Sequence, residues 1–187
     1  MHYLISLLDE LFKHCEKSKS VSTVVCTDFT KAFDKLDHNI IVSKLVKLGV
    51  RPWLIDWIAS FLENRQQCVK YFGTLSDYKS NHSGVPQGTK LGPVLFLVMI
   101  NDALCDSNIP YYKYVDDLTL LECRTQGQES ELQFNISQFH QWALENNMKL
   151  NPSKCFSMNV TFSRNPQLPE ILCIDNIQLP SVLVPKF

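Results

Sequence analysis

An α+β fold is what this sequence predicts, and three observations carry the prediction. A β-branched run over residues 21–27 stops at Asp28. Apolar side chains recur at helical spacing near the N-terminus and again around residues 129–146. Between these segments two adjacent carboxylates, Asp116 and Asp117, interrupt apolar, β-prone flanks at 109–115 and 118–121, the pattern of a hairpin with its polar residues at the turn.

The elements follow in order. Leu4, Leu7, Leu8, Leu11 and Phe12 predict an amphipathic helix over 2–16, and Lys17-Ser18-Lys19-Ser20 leads into the strand that ends at Asp28. Asp37 and His38 open a second helical region with Ile41, Leu45 and Leu48 on one face. Gly49 ends it, and Pro52 starts a third helix running to Phe61. Residues 66–72 and 76–83 read as paired short strands around Gly73. An apolar helix over 91–104 carries Pro93 in its first turn. The acidic hairpin and a loop over 125–128 come next. A helix over 129–146 then places Leu132, Ile136, Phe139 and Trp142 at core spacing. Residues 156–162 alternate as a last strand. Prolines at 166, 169, 180 and 185 predict a loosely packed tail over 165–187, leaving 1–164 as the folded domain.

Asp is a common turn residue, so Asp116-Asp117 reads first as an ordinary hairpin loop. Like charges held side by side are unfavourable, however, and a cation between them is the usual relief. A strand ending in Asp28 and a hairpin tipped by Asp116-Asp117 can lie side by side in one sheet, so that their acids converge on one edge. Mg²⁺, with Mn²⁺ as the alternative ion, takes such oxygen ligands and keeps positions open for phosphates. Two ions roughly 4 Å apart would activate a 3′-hydroxyl and stabilise a leaving pyrophosphate. Finding Asp28 and Asp116 on different faces, or either one buried in an ion pair with Arg or Lys, would sink this assignment.

Four segments carry a resemblance to a known family. They are Thr27-Asp28-Phe29-Thr30-Lys31-Ala32-Phe33-Asp34, Ser83-Gly84-Val85-Pro86-Gln87-Gly88-Thr89-Lys90-Leu91-Gly92-Pro93, Tyr114-Val115-Asp116-Asp117 and Asn151-Pro152-Ser153-Lys154. In order and spacing they resemble motifs A, B, C and D of reverse transcriptases, in wording nearest the non-LTR (LINE-type) retrotransposon enzymes. The resemblance covers about residues 20–160. It implies a polymerase palm, a ferredoxin-like antiparallel sheet backed by helices, with partial fingers and no thumb. It also implies an RNA-directed DNA polymerase that uses an RNA template, a DNA primer and deoxynucleoside triphosphates.

Site roles carry over residue by residue. Asp28 and Asp116 match the metal ligands, the Phe29 carbonyl is a further ligand, and Asp117 supports them. Phe33 matches the aromatic beneath the incoming sugar that excludes a 2′-hydroxyl, the alternative being a core position. Gln87 and Gly88 match positions near the incoming nucleotide and template base. Lys154 matches a lysine serving the pyrophosphate. Lys90 departs from the small or hydrophobic residue common at its place. With no segment resembling a thumb, the chain is expected to be a palm-centred piece of a larger element and close to inactive alone. The reading from another class is a catalytically incompetent nucleic-acid-binding remnant.

Composition bounds the rest. With 187 residues, 45% hydrophobic and 20% charged, the chain suits one ordinary folded domain. Net charge is −1, with 12 Lys/Arg against 9 Asp/Glu over residues 1–90 and 6 against 10 over 91–187. A phosphate-tracking face would therefore draw on the first half. Seven cysteines without a Cys-x-x-Cys pair read as free thiols in a reducing compartment. The longest apolar stretch, 94–100, is far short of the ~20 residues that span a bilayer. No signal peptide is legible, so the expectation is an intracellular protein, nuclear or cytoplasmic, without a membrane partner. Oligomeric state is not legible.

Overall fold

The computed structural model describes residues 2–15, 20–125, 127–161 and 171–184. They form two compact units. The first draws on residues 1–30, 103–145 and 149–187, and the second on 31–102 and 146–148.

The first unit is built on β1 (Ser20–Thr27), the expected β-branched run. Its neighbours are β7 (Asp117–Thr125) and β8 (Phe156–Thr161), both antiparallel to it, and β6 (Tyr111–Tyr114) completes a hairpin with β7. The alternation of a strand assigns β1 two different faces. Val24 and Cys26 face α1 (His2–Cys15), where Leu7, Leu11, Val24 and Leu121 form one buried cluster. Tyr3 of that helix hydrogen-bonds Thr119 of β7 at 2.6 Å. α5 (Leu132–Glu145) buries Leu132, Ile136, Phe139 and Ala143, and Phe139 meets Phe29 edge-to-face at 5.6 Å.

Two expectations are corrected in this unit. The helix expected from residue 129 begins at Leu132, because Glu122 of β7 accepts hydrogen bonds from Ser130 Oγ at 2.7 Å and from the Glu131 backbone N–H at 2.6 Å. A carboxylate from another element thus holds the residues before the first turn out of the helix and satisfies an N–H there. The described part of the tail, 171–184, is not loosely packed. β9 (Cys173–Ile174) pairs with β10 (Ile177–Gln178), and β11 (Ser181–Val184) joins the main sheet parallel to β8. Leu172, Ile174 and Leu179 are buried. The expected boundary at residue 164 lies outside the described residues, as does Phe162. The resulting sheet order is β11-β8-β1-β7-β6, antiparallel except for its β11 edge.

The second unit carries α2 (His38–Lys47), α3 (Pro52–Leu62) and α4 (Leu91–Ile100). Asp37 caps α2 by accepting from the N–H groups of Asn39 and Ile40, and Pro52 stands at the start of α3, as the sequence predicts. α4 ends at Ile100 instead of 104. The strands expected around Gly73 are shorter than predicted: β2 (Arg65–Gln67) pairs with β5 (Lys79–Asn81), and β3 (Lys70–Tyr71) with β4 (Thr74–Leu75). The buried Lys44 ammonium is held by the Met99 carbonyl and Asp102. No helix among the described residues is long and apolar enough to cross a membrane.

Candidate active site

In the first unit, Asp28 follows the last residue of β1 and is stitched down on its main chain. Its carbonyl accepts from Asn151 N–H at 2.8 Å, its N–H donates to Cys155 Sγ at 3.4 Å, and Thr30 N–H donates to Lys149 O at 2.7 Å. Phe29 and Leu150 form a β-bridge. Burial pushes the Cys155 thiol pKa up, so it remains a neutral S–H, positioned 3.9 Å from the Asp28 carbonyl. The same stitched segment delivers Lys154. Its N–H donates to Asn151 O at 3.0 Å, and its ammonium stands 3.4 Å from Asp28 Oδ2.

That pair is not a buried one, since the Lys154 side chain is 66% exposed and Asp28 23%. Asp28 Oδ2 is itself buried and accepts no hydrogen bond from the described residues. A buried carboxylate oxygen in this state has lost its water without gaining a hydrogen bond, and the Lys154 ammonium 3.4 Å away is the cation that offsets its charge.

The other two carboxylates sit at the β6–β7 turn, one residue out of the expected phase. Tyr114 pairs with Asp117, so the two-residue loop is Val115-Asp116 and Asp117 opens β7. Val115 takes φ 55°. A β-branched residue in the left-handed region is strained, at a cost of order 1–3 kcal/mol, and such strain collects at functional sites. Partial burial, then the charges of Asp116 and Asp28, hold the Asp117 carboxyl above its ordinary pKa. Thr27 pairs with Leu118 and Tyr114 with Asp117, so Asp28 leaves β1 at the end of the sheet where the Asp116-Asp117 turn stands.

Among the described residues no three His, Cys, Asp or Glu side chains close around a point as a finished metal cage would. The donor set nevertheless fits a hard divalent cation. It is all oxygen, Asp117 is repelled by both other acids, and one buried oxygen lacks a hydrogen bond. Lys154 is the positive charge now standing beside it.

The second unit holds the other expected residues around a cavity of about 490 Å³ lined by Phe33, Pro86, Gln87, Gly88, Lys90 and Pro93, among others. Phe33 is half-buried and stacks on the fully buried Phe96, with centroids 4.7 Å apart and planes 27° from parallel. It is thus both packed against Phe96 and part of the cavity lining. Gly88 has φ 83° with nothing near its Cβ position, so its role is conformational. Gly84, at φ 74°, is a close approach: a Cβ there would lie 2.5 Å from the Asp34 carbonyl oxygen. Lys90 lines the cavity as its one charged wall residue.

Three contributors were not singled out from the sequence. Cys155 and Asn151 grip the Asp28 main chain, and Asp34 accepts a hydrogen bond from Gln87 Nε2 at 3.0 Å. Asp34 and Asn151 stand inside the quoted motifs and Cys155 directly follows one, so adjacency to motif residues was the available signal.

Comparison with known proteins agrees with this architecture. The profile of the family described as reverse transcriptase (RNA-dependent DNA polymerase) matches residues 1–169. The chain is 32% identical over 147 residues to an RNA-directed DNA polymerase from the mobile element jockey of Drosophila funebris, covering 73% of this chain and 16% of that protein. It is 26% identical over 191 residues to a Pol polyprotein from the type-1 retrotransposable element R2 of Popillia japonica, covering 93% and 26%. Telomerase from Candida tropicalis superposes with a TM-score of 0.60 at 14% identity, over 83% of this chain and 29% of that one, which is a likeness of fold. The chain thus spans between 15% and 29% of the length of the curated relatives it matches. The motif order, the antiparallel sheet that carries its acids and these matches make the chain a member of the reverse transcriptase family, with relatives among the non-LTR retrotransposon polymerases.

Proposed function

We propose that this chain is the palm-centred part of an RNA-directed DNA polymerase that adds deoxynucleotides to a primer 3′ end. The observation that carries the reading is the sheet register that brings Asp28 to the end of β1 beside the Asp116-Asp117 turn, where Asp117 feels the charge of both other acids and the buried oxygen of Asp28 has the Lys154 ammonium beside it. Asp28 and Asp116 would hold Mg²⁺ or Mn²⁺, assisted by the Phe29 carbonyl and Asp117. A divalent ion bound there supplies activation of the primer hydroxyl and charge neutralisation at the leaving pyrophosphate.

The chain's own residues do the rest. Asn151 and Cys155 fix the main chain that carries Asp28. Lys154, on a flexible stem with its side chain two-thirds exposed, carries a proton and a positive charge toward the pyrophosphate. Phe33, held by Phe96, presents a rigid ring beneath the nucleotide sugar and excludes the 2′-hydroxyl. Gln87 and Gly88 contact the nucleotide and template base. RNA template and DNA primer are the partners.

The test grafts residues 20–161 into a jockey-type polymerase in place of the matching segment and follows primer extension on RNA. Extension by the graft, lost on Asp116→Asn, is the expected result; extension by the substituted protein near the parental level overturns the role of Asp116. Two observations favour the second reading, a nucleic-acid-binding remnant without catalysis: Asp28 already has a lysine partner, and among the described residues the acids do not close into a cage. A graft that binds primer-template and never extends it supports that alternative.

A further inference from the structure

Gln87 lines the cavity in the second unit, and a glutamine there poses a chemical question. Its amide has two similar ends, one donating and one accepting, and which end meets a ligand decides what the ligand must offer. The structure holds an answer. Gln87 Nε2 lies 3.0 Å from Asp34 Oδ1. An ionised carboxylate accepts only, so the end that faces Asp34 has to be the N–H end. The carbonyl oxygen and the second N–H are left for whatever enters.

Asp34 is itself held in place by its main chain. Ser83 Oγ donates to its carbonyl at 3.0 Å, Val85 N–H donates to Phe33 O at 2.9 Å, and Gly84 N–H donates to Leu36 O at 2.8 Å. Gly84 packs so closely on Asp34 that no Cβ fits between them. The segment carrying Phe33 and Asp34 is thus bolted to the turn that carries Gln87. One placement supplies both the ring of the cavity and the carboxylate that orients the amide.

We infer that Asp34 is a positioning residue that fixes the Gln87 amide, so that a bound deoxynucleoside triphosphate meets a carbonyl acceptor backed by a single remaining N–H. This rests on the proposed function for the identity of the ligand, but not for the contact itself. Both side chains are exposed, so water competes for the bond and the effect is modest.

The test uses the 187-residue chain and two readouts. In the first, the side-chain amide of Gln87 is observed by ¹H–¹⁵N NMR. Parent protein should show one amide proton shifted downfield by the carboxylate, and Asp34→Asn, which can accept or donate and so permits both orientations, should remove that shift. An unchanged signal overturns the inference. In the second, dATP binding in the presence of Mg²⁺ is measured by equilibrium dialysis for parent, Asp34→Asn, Gln87→Ala and the double variant. Asp34→Asn should weaken binding by about three- to tenfold, and the double variant should bind no worse than Gln87→Ala alone. Additive losses would show that Asp34 acts by another route and would overturn it. Parent protein that binds no dATP removes the nucleotide, and with it the polymerase reading of the cavity, while the amide signal still decides whether Asp34 fixes Gln87.

Discussion

The two units solve opposite problems. In the first, the groups of interest are charged and only partly compensated: Asp28 Oδ2 is buried without a hydrogen bond and has the Lys154 ammonium 3.4 Å away, Asp117 is held above its ordinary pKa by burial and two other acids, and Val115 is strained in the turn that precedes Asp116. In the second, the groups of interest are reconciled before any ligand arrives. Phe33 is stacked, Gln87 is bonded, and the Gly84 turn is fastened at three successive residues. A region that is unfavourable alone gains most from what binds it, whereas a finished cavity gains mainly in selectivity. On the proposed function, reaction chemistry falls to the first unit and discrimination to the second.

The largest effect expected is on chemistry in the first unit. Asp28→Asn should lower RNA-templated extension by the grafted polymerase about a thousandfold. Without divalent ions the same substitution should change the chain's melting temperature little, because it removes both the repulsion of Asp117 and the solvated pair with Lys154. A variant that is both active and less stable would erase the contrast.

Next is Gly84→Ala in the second unit. With φ at 74° and backbone 2.5 Å from the new methyl, it should destabilise the chain by about 3 kcal/mol in urea unfolding. A loss below about 1 kcal/mol would mean that the turn adjusts easily and is not the fixed frame described. Phe33→Ala follows. It should narrow the preference for deoxy- over ribonucleotides, read as the ratio of kcat/KM, by about tenfold or more, with a smaller loss in deoxynucleotide use. An unchanged ratio would make Phe33 a core residue only. The smallest effect belongs to Lys154→Met, which should change stability by less than about 1 kcal/mol because the ion pair is largely solvated. A thermal melt showing a much larger loss would make the pair structural and would weaken the case for a cation at Asp28.

Much of this arrangement was legible in the sequence because it is local. The β-branched run before Asp28, the Asp37 cap, Gly49 and Pro52 each act on neighbours a few residues away, and the corresponding elements lie where expected. What was missed depends on distant partners. Asp116-Asp117 looked like the loop because both are polar, yet pairing of Tyr114 with Asp117 places the apolar Val115 in it. β11 exists through parallel pairing with β8, so proline density in its surroundings gave the wrong forecast. The start of α5 is set by Glu122, and the orientation of Gln87 by Asp34, 53 residues earlier. None of these leaves a periodic trace.

Val115 has one more consequence. Its backbone conformation is not one that valine prefers, so the loop is imposed by the β6–β7 ladder on either side and not chosen by its own residues. Glycine or asparagine would take that shape willingly. In a laboratory selection for heat tolerance alone, position 115 would therefore be among the first to change. The winners would carry a more relaxed tip, and Asp116 would be freer to wander from where the reaction needs it.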